Sequence, residues 1–195
     1  MPDLYACFAD LAAGERQGRD YRIEVCDRGA PIAIVAPHGG AIESGTSEVA
    51  RTTAGGDLSL YLFEGRSRAD NSRLHITSTR FDEPEALRLI AGCDTIVTIH
   101  GRGDRADPET VWVSGRDRAL AAGIAAALER EGFRAGEPAE SALAGTDERN
   151  ICNRGRRGKG VQLELPRSLR RRLTAEGPLL AAFAAAVRGA LPVEP

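Results

Sequence analysis

His38, Glu43 and His100 have the residue types and the surroundings of a hydrolytic metal site. His38 and Glu43 stand five positions apart in Pro37-His38-Gly39-Gly40-Ala41-Ile42-Glu43-Ser44-Gly45-Thr46, directly after the apolar run 32–36. His100 closes a second apolar run, Thr95-Ile96-Val97-Thr98-Ile99-His100-Gly101. Each of these histidines is followed by glycine, which lets a ligand come close to the backbone. Two imidazoles and a carboxylate are the protein ligands of many hydrolytic zinc sites, where the fourth position is left to water. A histidine taken singly is more often a core or surface residue. The chain has only three, so two of them in this setting single out the pattern.

Glu164 is the next candidate. It sits in Val161-Gln162-Leu163-Glu164-Leu165, where alternation puts Gln162 and Glu164 on one face. A carboxylate in an apolar strand is costly unless it is paired or functional. It is read either as the partner of a nearby arginine or as a general base that takes a proton from zinc-bound water. His75 opens a short apolar stretch and is read as structural, or as standing behind the ligands. Residues 149–172 hold nine basic side chains and one acid, Glu164. Arg154, Arg156, Arg157 and Lys159 are read as a solvated face, or as a clamp for substrate carboxylates, which arginine binds in a bidentate fork. Nucleic-acid binding fits less well, because the run lacks stacking aromatics.

The elements that must carry these residues alternate between strand and helix. Helical spacing or composition predicts helices over 4–13, 46–54, 84–91, 117–131, 168–173 and 178–190. Strands are predicted over 21–26, 57–63, 74–77 and 133–135, and buried strands over 32–35, 95–99, 111–113 and 161–165. The stretch 136–160 is polar and glycine-rich and reads as a long loop, which in a compact domain is commonly functional. The expectation is one α/β domain over 1–195, three layers deep, with a mixed, mostly parallel sheet between helices. Ligands of such sheets gather at the carboxyl ends of strands, where His38 and His100 fall.

Composition narrows the class without naming a partner. A chain of 195 residues with 42% hydrophobic and 28% charged residues is an ordinary globular domain. Its formal net charge of -2 favours neither nucleic acid nor membrane. The four cysteines form no C-x-x-C pair, which argues against a cysteine zinc site. Neither a signal sequence nor a membrane-spanning apolar run is seen, so a cytoplasmic location is expected, with release by another route left open.

These motifs together resemble the phage-type poly-γ-glutamate hydrolases, whose cellular relatives often carry the label of phage-related replication proteins. The matching pieces are Ala36-Pro37-His38-Gly39-Gly40 with Glu43 and Gly45-Thr46, then Leu60-Tyr61-Leu62-Phe63-Glu64-Gly65 and Leu74-His75-Ile76-Thr77-Ser78. Phe81-Asp82-Glu83-Pro84, Ile99-His100-Gly101, Asn150-Ile151-Cys152-Asn153-Arg154-Gly155 and Gly160-Val161-Gln162-Leu163-Glu164-Leu165 follow in order. The resemblance runs over nearly the whole chain and implies a compact relative of the zinc carboxypeptidases. It implies Zn²⁺ on His38, Glu43 and His100, Glu164 as general base, and cleavage of γ-glutamyl amide bonds in an anionic polymer. Arg154 is the expected substrate-binding or oxyanion-steadying arginine. Two alternatives stay open: a non-catalytic, phage-derived nucleic-acid-binding protein using 154–159 and 167–172, and a zinc amidase for another peptide or acyl-amino-acid amide.

Overall fold

The computed structural model describes residues 3–67, 70–105, 107–139 and 143–192. In chain order the elements are α1 (Phe8–Gly14), β1 (Tyr21–Cys26), β2 (Ile32–Gly40), α2 (Thr46–Ala54), β3 (Ser59–Gly65), α3 (Pro84–Ala91), β4 (Thr95–Arg102), β5 (Val111–Ser114), α4 (Arg118–Arg130), β6 (Ala135–Gly136), β7 (Val161–Pro166), α5 (Arg167–Ala175) and α6 (Gly177–Gly189). Single 3-10 turns form at Ser72–Leu74 and Ile151–Asn153.

The strands make one mixed sheet in the order β1-β3-β2-β4-β7-β5-β6. Its centre, β3-β2-β4-β7, is parallel. β1 joins β3, and β5 joins β7, antiparallel. Alternation along the buried strands feeds two cores. Ile32, Ile34, Val97, Ile99, Leu163 and Leu165 face α2, α4, α5 and α6. Ala33, Val35, Tyr61, Phe63 and Ile96 face the other way, onto α1, α3 and Phe81. The architecture is the three-layer α/β domain expected from the sequence.

Two departures from the sequence reading bear on the site. The segment 74–77 is not a strand. Leu74 and His75 are bonded back to Asn71 and Ser72 as a 3-10 turn, while Leu74 and Ile76 bury their side chains in the second core. Apolar burial here needs no ladder partner, so the apolar run alone misleads. The first helix begins at Phe8, whose N–H is taken by Asp82 at 2.7 Å, so Leu4 is left outside it and exposed.

β2 and β4 also run further than their apolar cores. β2 continues to Gly40 through a register shift against β3 between Ala36 and Gly39. Pro37 has no N–H to give the ladder, and an irregularity of this kind re-aims a side chain. It falls at His38. Gly40 then adopts φ 61 beside the Gly65 carbonyl, a conformation and a closeness that a side chain would oppose. β4 extends through His100 to Arg102 against β7, in the register His100↔Glu164. Trp112 of β5 pairs Glu164 from the far side, so His100, Glu164 and Trp112 lie in one row across three strands.

Candidate metal centre and cleft

The row opens into a cleft of about 830 Å³ at the carboxyl ends of the parallel strands, on the face that α1 and α3 cover only over the β1 side. His38, Glu43, His75, Ser78, His100 and Glu164 are among its walls.

Each of the three imidazoles has one nitrogen tied down and turns the other inward. His38 donates its Nε2–H to the Ile76 carbonyl at 2.8 Å, which leaves the Nδ1 lone pair facing the cleft. His100 Nε2 lies 3.2 Å from Ser78 Oγ, which again leaves Nδ1 inward. His75 Nδ1 is held 2.7 Å from Asp3, and Asp3 is itself held by the Thr77 N–H at 2.7 Å. His38 Nδ1 and His100 Nδ1 are 3.1 Å apart. Glu43 Oε1 is 3.3 Å from His38 Nδ1, and its Oε2 is 3.8 Å from His100 Nδ1. The Gly101 N–H donates to Glu43 Oε2 at 2.7 Å and fixes the carboxylate between the rings.

This donor set suits a divalent cation. Two ring lone pairs aimed at each other across 3.1 Å repel unless a proton or a metal ion lies between them. Two neutral imidazoles with a carboxylate, outer nitrogens satisfied by carbonyl and hydroxyl groups, are the chemistry Zn²⁺ selects. His75 is a neighbour of the set: its ring stacks 4.0 Å from that of His38, and its Nε2 is 3.9 Å from Glu43 Oε1. His38, Glu43 and His75 also offer donor atoms that all lie within 4.8 Å of one another.

The electrostatics follow from burial and convergence. Burial alone would raise the pKa of Glu43, but His38, His100 and the Gly101 N–H outweigh it and bring it to about 2. Burial would hold His38 neutral, and Glu43 raises it instead. Burial, then the charge on His38, lowers His100 to about 3. Glu164 moves the other way. Burial, followed by repulsion from Glu43, pushes it well above the usual carboxylate range against the pull of Arg102 and Arg170. A carboxyl group so raised, beside a cation site, is suited to proton exchange.

The expected residues His38, Glu43, His100 and Glu164 therefore come together, from β2, its following loop, β4 and β7. Arg154 does not join them. It is exposed, donates to the Phe81 carbonyl at 3.3 Å, and is absent from the cleft walls. The chain after Asn153 turns back toward the amino ends of the strands, where the Arg156 N–H bonds Cys93 O. Arg156 there pairs with Asp94, and Lys159 with Asp117. Arg170, from the same basic run, is a buried clamp. It donates to the carbonyls of Ser44, Leu165 and Arg102, joining the Glu43 loop to the ends of β7 and β4. Among the described residues, the arginines that line the cleft are Arg73, Arg102 and Arg105. Arg102 lies 3.8 Å over the Trp112 ring and donates to the carbonyls of Gly103 and Thr110.

Asp3, Ser78, Arg102, Trp112 and Asn150 were not singled out by sequence reasoning. Asp3 and Ser78 carry no local signal, because each meets its histidine only through the fold. Arg102 could have been found: it stands two residues after His100 and so shares its face of β4.

Known proteins resemble this chain in sequence and fold. The model of the poly-gamma-glutamate hydrolase family matches residues 5–181. The solved structure of a bacteriophage poly-gamma-glutamate hydrolase superposes with a TM-score of 0.90 at 33% identity, over 97% of this chain and 96% of that one. A zinc-free apo form of YndL superposes with a TM-score of 0.83 at 38% identity, over 88% and 84% of the two chains. The UPF0714 protein YmaC of Bacillus subtilis is 42% identical over 172 residues, which cover 87% of this chain. The chain spans 72% of the length of YmaC and 67% of that of YndL from the same organism.

Proposed function

The chain belongs to the poly-gamma-glutamate hydrolase family, and we propose that it is a zinc-dependent amidohydrolase that cleaves γ-glutamyl amide bonds of an anionic poly-γ-glutamate chain. The observation that carries the reading is the meeting of His38, Glu43 and His100, with the Nδ1 atoms of both rings turned inward, beside a buried Glu164 in the next strand. His38 and His100 through Nδ1, with Glu43, would hold the ion. His100 is preferred to His75 as third ligand because it is fixed in β4 and its Nδ1 faces that of His38.

Bound zinc would polarise the scissile carbonyl and bring the pKa of its water to near neutrality, about 7. Glu164 accepts a proton from the attacking water and returns it to the leaving nitrogen. The raised affinity of Glu164 for a proton serves the second half of that exchange. A cleft-lining guanidinium takes the role first expected of Arg154. Arg105 is the choice, because it stands on the cleft wall, beside Asp104, which is anchored to Ser168 N and Oγ. Further along the polymer, Arg167, Arg171 and Arg172 project from α5 as exposed cations, none in an ion pair with a described residue.

The test is release of glutamate or short γ-glutamyl oligomers from poly-γ-glutamate by the zinc-loaded protein, with labelled DNA as a parallel ligand. Release that stops on chelation and returns with zinc supports the reading. DNA binding that persists under chelator, with no amide cleavage, would replace it with a nucleic-acid-binding protein.

A further inference from the structure

Glu164 is held by a chain of amides whose direction is set by the backbone. Asn150 precedes the 3-10 turn Ile151–Asn153, and its Oδ1 accepts the Cys152 N–H at 3.1 Å. A backbone N–H can only donate, so this end of Asn150 must be the oxygen and its amide nitrogen must face the other way. There Nδ2 donates to Gln162 Oε1 at 2.9 Å. With that oxygen fixed, Gln162 Nε2 donates to Glu164 Oε1 at 2.9 Å. Its other hydrogen goes to the Leu143 carbonyl at 3.3 Å. Asn150, Gln162 and Glu164 are all at least nine-tenths buried. Gly145 packs its backbone on Gln162, where a methyl group would stand 3.3 Å from Oε1, and the Gly145 carbonyl is held by Asn153 Nδ2 at 2.7 Å. Gly145 thus closes one side of the Gln162 amide.

We propose that Asn150 and Gln162 are positioning residues, an oriented amide relay that reserves Oε1 of Glu164 for the protein and leaves Oε2 to accept the proton of the attacking water. The proposal rests on the reading of Glu164 as general base. Without Asn150 as donor, the Gln162 oxygen loses its partner, only the Leu143 carbonyl and Glu164 still orient the amide, and its turning over sets oxygen against oxygen. The carboxylate then rotates away from the cleft. Donation to Oε1 also opposes the upward push that burial and Glu43 exert on this group.

Two variants separate the relay from the turn it grows out of. Asn150→Asp and Asn150→Ser both keep an oxygen to cap Cys152. Aspartate cannot donate to Gln162, and serine is too short to reach it and adds no charge. Both are expected to fold with near wild-type thermal stability and zinc content and to keep KM. Turnover should fall about 10- to 100-fold, by analogy with loss of the hydrogen-bond partner behind a metal ligand. A readout independent of activity is the Gln162 side-chain NH₂ in a ¹⁵N correlation spectrum. In the wild type it should show two resolved, exchange-protected resonances, which shift and lose protection in both variants. Rapid exchange of the wild-type signals, or wild-type kcat in both variants, overturns the proposal. Glu164→Gln, assayed in parallel, tells the two failures apart. Wild-type turnover in that variant removes the general-base reading and the proposal with it, while a large loss there alongside normal turnover in both Asn150 variants removes the relay alone.

Discussion

His38 and Glu43 meet because the chain makes a tight return after β2: the Glu43 N–H bonds the His38 carbonyl at 3.0 Å, and Thr46 Oγ1 donates to both of their carbonyls. The pair is therefore preformed, and loss of one ligand should empty the site without unfolding it. His38→Ala and His100→Ala are each expected to lose bound zinc and activity, while His75→Ala keeps zinc, as measured by elemental analysis of the dialysed proteins. Full zinc in His100→Ala would pass the third ligand position to His75, whose Nε2 is already 3.9 Å from Glu43. Glu164→Gln keeps the shape of the side chain and removes its basicity, so kcat should drop about 10²–10⁴-fold with zinc retained. His38, His100 and Glu164 were legible in the sequence because each combines a costly polar group with an apolar strand, and Glu43 because it shares the short glycine-rich loop after His38. The outer partners of the two histidines were not, since the Ile76 carbonyl and Ser78 come from a remote segment.

The strand ends and the turns between them do the positioning at the next scale. Gly160, just before β7, has its missing side chain directed at the carbonyl oxygens of Cys152 and Ile96, both backbone atoms that cannot rotate away. Gly160→Ala is expected to lower stability by about 1–3 kcal/mol or more, the cost of forced overpacking, and to impair the site by moving β7 against β4. Gly123, in the exposed middle of α4, meets nothing within 4 Å. Gly123→Ala should stabilise by about 0.5–1 kcal/mol through helix propensity alone. Urea titration of the two variants gives opposite signs if this reading of the packing is right. Equal shifts in the same direction would count against it. The buried strands and α3 were legible from apolar runs and from Pro84 at the helix start. The 3-10 turn at Ser72–Leu74 was not, since burial of Leu74 and Ile76 without a ladder looks like a short strand in one dimension.

Charge acts over the whole molecule in two ways. Glu15, at the end of α1, is gripped by Arg73 from the turn that precedes His75, at 2.7 and 2.9 Å. The Arg73 hydrogen bonds hold the Glu15 carboxyl below its usual range despite burial. A group whose folded pKa is depressed stabilises fully above its unfolded value, near 4, and ceases to do so as the pH falls below the folded one. Arg73→Gln should therefore have a lower Tm than the wild type at neutral pH, with the gap closing as the pH falls from about 4 toward 2. A gap constant over that range, by calorimetry, would assign Arg73 a packing role only. The second effect belongs to the proposed function, long-range attraction of a polyanionic substrate. With several arginines on a polyanion, KM for poly-γ-glutamate should rise with salt, since exposed charges are screened over about 8–10 Å at 0.1–0.15 M. Arg167→Glu with Arg171→Glu should raise KM for the polymer more than for a γ-glutamyl dimer, whereas equal changes would remove α5 from the binding path. No helix among the described residues is long and apolar enough to cross a membrane.

The sequence by itself determined the alternation of strands and helices and the chemistry of the site. Periodicity and the cost of burying His38, His100 and Glu164 are local properties that survive in one dimension. Only the tertiary structure decided which arginines face the cleft. Arg154 is 10 positions from Glu164 in the chain, yet the run from Arg154 to Gly160 bends toward the amino ends of β4 and β7 and spends its charges on Asp94 and Asp117. Arg102, more remote from Glu164 in sequence, is brought beside it by the pairing of β4 with β7. The direction of the Asn150–Gln162–Glu164 hydrogen bonds starts from a local contact, the Cys152 N–H on Asn150, but it reaches Glu164 only because the fold brings Asn150 against Gln162 of β7. Spacing along the chain fixes which side chains share a face. Which faces meet, and which side chain an oriented amide reaches, is fixed only when the strands pair.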